Sequence, residues 1–235
     1  HNLPVRKNIA AGDYRYPPFL PMPGDTGDNE WDGMLSRDLI PQAHNPEQGY
    51  IITANADPIG VSFDSNPFNN GPYIGYTWDV GYRETQITRR IQALVARSAQ
   101  KITPADLQSV QADHRSNLGA DCAPVLVAAI DEAKASADPR VSALVTAEVE
   151  AATNYLRDWA EHGYLALEGV GDSVTPEDRD ASIATTIFNA TLPFLLANAI
   201  GDEGTLGLSS LGLSSTGRFV KRFLVEPETM ASWHD

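Results

Sequence analysis

An amide side chain placed where a strand should end is either a turn former or a group aimed at chemistry, and Asn55 occupies such a place. Tyr50, Ile51, Ile52 and Thr53 favour extended structure and, through Ala54, lead into Asn55-Ala56-Asp57-Pro58, where a strand should stop. Asn before Asp-Pro commonly closes a turn. The same side chain can instead present a fixed N–H to a carbonyl oxygen, the atom on which negative charge collects when an acyl carbon is attacked. Spacing alone favours the turn.

Other constellations fall short of a site. Asp28-Asn29-Glu30-Trp31-Asp32-Gly33 imitates the opening of a calcium-binding loop, but Leu39 stands at the twelfth position, where a bidentate Glu is required. The five histidines, His1, His44, His114, His162 and His234, make no HExxH or other i,i+4 pair. His162 follows a helical stripe and reads as a solvent-facing cation at a helix C-terminus. Gly207-Leu208-Ser209-Ser210-Leu211 lacks the second glycine of a nucleophile elbow and follows no convincing strand. The sequence contains no G-x-G-x-x-G and no Walker loop. The single cysteine, Cys122, excludes an internal disulfide framework and any Cys-based metal site, and its apolar neighbours predict a buried structural thiol.

Charge narrows the partners. Seventeen basic against 31 acidic residues give a formal net charge of −14, and without clustered Lys and Arg there is nothing to bind a phosphate backbone. With 42% hydrophobic and 20% charged residues in 235, the chain can bury one sizeable core or two small ones. No run approaches the roughly 20 apolar residues that span a bilayer. The opening His1-Asn2-Leu3-Pro4-Val5-Arg6 has no initiator Met and reads as a processing product or an internal piece of a longer chain.

Two kinds of chain must position any site. Residues 1–78 are rich in Pro, Gly, Asn and Asp, with short apolar runs, and predict loops with a few strands. Residues 79–235 predict helices. Val80, Ile87, Ile91 and Leu94 fall at helical spacings. Thr103-Pro104-Ala105-Asp106 and Thr175-Pro176-Glu177-Asp178 share one helix-start grammar of a Thr cap, Pro at the first position and an acid in the first turn. Ala123 to Ala135 is helical, and Val141, Leu144, Val145, Val149, Ala152, Leu156 and Trp159 predict one continuous stripe from Val141 to Trp159. Ile183 to Ile200 reads as a buried helix, and Gly204 to Gly217 as a flexible linker.

The opening phrases carry a resemblance. Leu3-Pro4-Val5-Arg6, Leu20-Pro21-Met22-Pro23-Gly24, Glu30-Trp31-Asp32-Gly33, Ile40-Pro41, Asn45-Pro46, Gly49-Tyr50-Ile51 and Ala54-Asn55 occur in that order, and Gly81-Tyr82-Arg83 with a helix follows. The series resembles the large subunit of the penicillin acylase family. Residues 1–97 carry it, and the helical remainder agrees in general character.

The resemblance implies an α+β chain, part of the four-layer αββα core of an N-terminal-nucleophile hydrolase. Such enzymes are self-cleaved precursors that become two chains, exported to the periplasm or secreted, and they hydrolyse the amide between an acyl group and an amine. The nucleophile is the first residue of the large subunit, usually Ser, with its own α-amine as base. That amine titrates at about 7.7–8.0 in model peptides, so a neutral base is available at mild pH. Here the first residue is His1. The expected partners are therefore a small subunit and a nucleophile-bearing segment outside these residues. On this reading Asn55 is the oxyanion donor, and Arg83 orients it or holds a substrate carboxylate. Arg83 could equally form a salt bridge with Glu84 or Asp79. No cofactor is required. Many relatives hold a structural calcium, for which Pro18 is a candidate match and Asp64 a substitute for a carboxylate that does not align; its presence stays open. Two further readings also stay open, a non-catalytic module on the same scaffold and a free-standing helical interaction domain.

Overall fold

In the computed structural model, residues 3–7, 20–59, 72–75, 78–79, 81–97, 101–167 and 174–200 are described. The chain divides into two units, His1–Glu84 and Thr85–Asp235. It is α+β, mostly helical with a small two-stranded sheet.

The first unit is built on a β-ribbon. Strand β1 (Pro4–Arg6) pairs antiparallel with β2 (Trp31–Met34), Pro4 opposite Met34 and Arg6 opposite Trp31, with a register shift between them. Gly33 sits in β2 at φ +95°, a conformation open to Gly and strained for other residues, and so supplies the irregularity. Arg6 and Asn29 staple the ribbon to its loop. Arg6 Nη1 donates to the Asn29 carbonyl at 3.0 Å, and the buried Asn29 donates from Nδ2 to the Pro23 carbonyl at 3.0 Å. The stretch that imitates a calcium loop therefore runs from a turn straight into β2.

Tyr50 to Ala54 does not form the expected strand. β-favouring side chains make a strand only where a neighbouring strand accepts the backbone, and among the described residues none pairs with this segment. Gly49 at φ +76° and Asn55 at φ +57° bracket it with reversals, and Ile51 faces solvent.

Helices follow. They are α1 (Tyr82–Val95), α2 (Pro104–Gln111), α3 (Asn117–Lys134), α4 (Pro139–Ser142), α5 (Ala147–Glu161) and α6 (Pro176–Ile200). Both Thr-Pro starts behave as the grammar predicts. Thr103 caps α2 in a reciprocal box with Asp106, and Thr175 Oγ1 accepts from Asp178 N at 3.1 Å at the head of α6. The predicted continuous helix from Val141 to Trp159 is instead broken. Asp138 and Pro139 start α4, the chain leaves the helix after Ser142, and Thr146 caps α5 through its hydroxyl. Leu144, expected on the apolar stripe, lies in the break and is 69% exposed. The N-cap hydroxyl and the acids Glu148 and Glu150 favour a new helix start at Ala147 over continuation of the old one.

The core sits where α3, α5 and α6 meet: Cys122, Ala123, Leu156, Trp159, Ala181, Ala184, Phe188 and Leu192. Cys122 is fully buried there, as its neighbours predict. Trp159 is the centre, stacked edge-on to Tyr164 at 5.4 Å and tilted against Phe188 at 5.6 Å, with Nε1 donating to the Leu165 carbonyl at 2.8 Å. Gly119 lets α3 approach it, because a Cβ there would lie 2.4 Å from the indole ring. Helix α6 is one-sided and not buried all round: Ala181, Ala184, Phe188 and Leu192 point inward, while Phe194 is 71% exposed. No helix among the described residues is long and apolar enough to cross a membrane.

Candidate functional site

Asn55 and Arg83 come together in the first unit, although 28 residues separate them in sequence. The meeting is built from backbone outward. Asn55 adopts φ +57°, the left-handed region that Asn tolerates better than most side chains. Its N–H donates to the Thr53 carbonyl at 2.5 Å, and its carbonyl accepts from Asp79 N at 2.9 Å, which brings the chain before α1 beside the turn. Asp79 then shapes the entry to α1, its Oδ1 accepting from Gly81 N at 3.0 Å. Gly81 takes φ +90°, and the helix that follows carries Arg83 in its first turn. On the far side of Asn55, Asp57 Oδ1 accepts from Ile59 N at 3.0 Å across Pro58, an Asx turn.

Arg83 Nη2 donates to Asn55 Oδ1 at 2.7 Å and to the Ala54 carbonyl at 2.8 Å. A guanidinium has donors only, so it must face the oxygen of the amide. That fixes the flip of the Asn55 side chain and turns Nδ2 away. Among the described residues Nδ2 donates to nothing, and Asn55 is exposed. The salt-bridge role of Arg83 is also present in weak form, with Nε 4.0 Å from Asp79 Oδ2 and the Arg83 side chain 59% exposed. An exposed pair at that distance contributes little. Asn55 is thus a turn residue by its backbone, while its side chain gives its oxygen to Arg83 and turns Nδ2 away.

Perturbed carboxylates lie in the second unit. Asp106 is drawn down to about 2 by a hydrogen bond from Arg97 at 2.6 Å and by the Thr103 backbone and hydroxyl. Asp113 is also lowered: partial burial works to raise it, but the Arg115 N–H, the Gln86 amide and the charges of Arg90 and Arg115 outweigh that. Sequence reading passed over Asp113. It lies in the loop between α2 and α3 while its partners Gln86 and Arg90 lie on α1, and no periodicity signals such a pairing.

Of the other residues singled out, His162 is the C-cap of α5, with Nδ1 2.8 Å from the Asp158 carbonyl. Pro18 and Asp64, the positions matched to calcium, lie outside the described residues, as do His1, His234 and the Gly204 to Gly217 segment.

A family model described as penicillin amidase matches residues 1–235. No curated protein and no solved structure matches the chain.

Proposed function

Because this chain belongs to the penicillin amidase family, we propose that it is part of an enzyme that hydrolyses the amide between an acyl group and an amine, with Asn55 as oxyanion donor. The scaffold is of the amidohydrolase type. What supports the finer reading is the 2.7 Å bond from Arg83 Nη2 to Asn55 Oδ1, which leaves Nδ2 oriented and available.

The proposed reaction runs through an acyl-enzyme. A serine outside these 235 residues, with its own α-amine as base, attacks the amide carbon, and the C–O bond forms as the carbonyl electrons move onto oxygen. Asn55 Nδ2 donates to that oxygen more strongly once it is charged, so the donor lowers the barrier and not merely the ground state. Collapse breaks the C–N bond, the amine leaves with the proton held by the base, and water then releases the acid by the same steps. Arg83 keeps its guanidinium on the far side of the amide, where it fixes the donor. No step passes through a metal, and the calcium attributed to Pro18 and Asp64 would have a structural part only.

The wider reading places these residues in a four-layer αββα core shared with a small subunit and with the nucleophile-bearing segment, in a self-processed protein of the periplasm or exterior. The acyl group would be a β-lactam side chain, an acyl-homoserine lactone tail or a similar N-acyl unit.

Turnover of N-acyl nitroanilides by the complete processed protein tests the assignment. Asn55→Ala should lower kcat by about 10²–10³ with little change in KM, as loss of one oxyanion donor does. Near-normal kcat in that variant rules the donor role out, whereas no turnover by the unsubstituted protein favours a non-catalytic module on the same scaffold.

A further inference from the structure

Asn55 is held at both ends by one short segment, residues 79–83, and every residue of the arrangement lies in the first unit. At the backbone end, the Asp79 N–H donates to the Asn55 carbonyl at 2.9 Å. At the side-chain end, Arg83 Nη2 donates to Asn55 Oδ1 at 2.7 Å and to the Ala54 carbonyl at 2.8 Å. Arginine has a long, freely rotating stem, so the second grip meets its target only if the path from Asp79 to Arg83 is fixed.

That path turns at Gly81, which takes φ +90°, and enters α1 at Tyr82. Glycine has the widest choice of backbone conformations, and a Cβ on Gly81 would meet no described atom within 4 Å, so packing does not hold the turn. Asp79 holds it instead: its Oδ1 accepts from Gly81 N at 3.0 Å. An Asp side chain bonded to the backbone two residues on is a compact turn former, because its short stem leaves little freedom to the residues it bridges. Asp79 also faces the first turn of the helix through Oδ2, 4.0 Å from Arg83 Nε. An exposed pair at that distance contributes little, which leaves the Gly81 bond as the stronger tie. The contacts close a circuit, from the Asn55 carbonyl through Asp79, Gly81 and Arg83 back to the Asn55 amide.

We propose that Asp79 is a positioning residue for Arg83: by accepting from Gly81 N it fixes the turn into α1, and with it the place from which the guanidinium reaches the Asn55 amide. Asp79 touches no reacting atom in this role. Its acceptor oxygen carries the effect, and its charge does not. The proposal rests on the reading of Asn55 as oxyanion donor.

Steady-state kinetics of the complete protein on N-acyl nitroanilides, with amide hydrogen exchange at Gly81, test it well below the melting temperature of every variant. Asp79→Ala should speed exchange at Gly81 and lower kcat about 10-fold with KM within about twofold, and should add nothing in the Arg83→Ala background. Asp79→Asn keeps an oxygen acceptor without the charge and should recover most of both losses. Asp79→Ser, whose hydroxyl makes the same turn more weakly, should fall between the two and replaces Asp79→Ala if that variant does not fold. Equal losses with and without Arg83, equal losses in Asp79→Ala and Asp79→Asn, or a lower melting temperature with unchanged kcat overturn the positioning role. Should Asn55→Ala keep its turnover, the donor reading falls and this one with it. That outcome is distinct from failure of Asp79 alone, in which Asn55→Ala is impaired and Asp79→Ala is not.

Discussion

Different forces order each of the two units of this chain taken by itself. All eight buried apolar side chains among the described residues lie between Cys122 and Leu192, in the second unit. Among the described residues of the first unit the buried one is polar, Asn29, and the order comes from backbone and side-chain hydrogen bonds: the β1–β2 ladder, Arg6 to Asn29, Gly81 to Asp79, and Arg83 to residues 54 and 55. Hydrogen bonds are directional and apolar burial is not. The second unit therefore supplies stability, and the first supplies aim.

That contrast predicts where substitutions will show. The largest effect on stability belongs to the centre of the core. Trp159→Ala should cost about 3–5 kcal/mol in denaturant unfolding, through lost burial, the lost Nε1 bond and the cavity left against Gly119 and Phe188. If it costs less than the loss of a surface cap, the core is not where the structure places it. Next, Arg83→Ala should lower kcat by about 10- to 10²-fold, the equivalent of one charge-assisted bond, while the melting temperature stays unchanged. A large drop in melting temperature would erase the division between aim and stability. Third, Thr103→Ala should cost about 1 kcal/mol, because it removes the cap of α2. The smallest effect concerns Asp106. Its carboxyl is lowered from 3.8 to about 2 in the fold, so what it adds to α2 is fully present above about 4 and lost as pH falls through about 2. Amide exchange across α2 should rise in that window and not above it, and Arg97→Ala should move the onset towards pH 4.

Helix starts were legible because they are local. Thr-Pro-x-Asp states a cap, a fixed φ and a first-turn acid within four residues, and both copies hold in the structure. Patterns that needed distant partners were not legible. Tyr50 to Ala54 has the composition of a strand but no neighbour to complete it, and the stripe from Val141 to Trp159 hides a break that a single threonine hydroxyl decides. Phe194 extends the apolar run of α6 yet sits on its outer side. At the site, Asn55 and Arg83 stood out through ordered phrases resembling a known family. Nothing in those phrases announced that Arg83 would take the amide oxygen, and no periodicity announced that Gln86 and Arg90 would meet Asp113.

The backbone of Asn55 limits which residues could ever replace it. At φ +57° the position admits Gly readily and Asn or Asp at modest cost, and it strains nearly every other side chain. A neutral carboxamide that gives an oxygen to Arg83 and keeps an N–H beside it exists only in Asn and Gln. The two sets share one member. Gly would keep the turn and lose the amide, Asp would keep the turn and replace the N–H with negative charge, and Gln would keep the amide but strain the turn and overshoot the guanidinium. No single exchange at position 55 preserves both the turn and the amide.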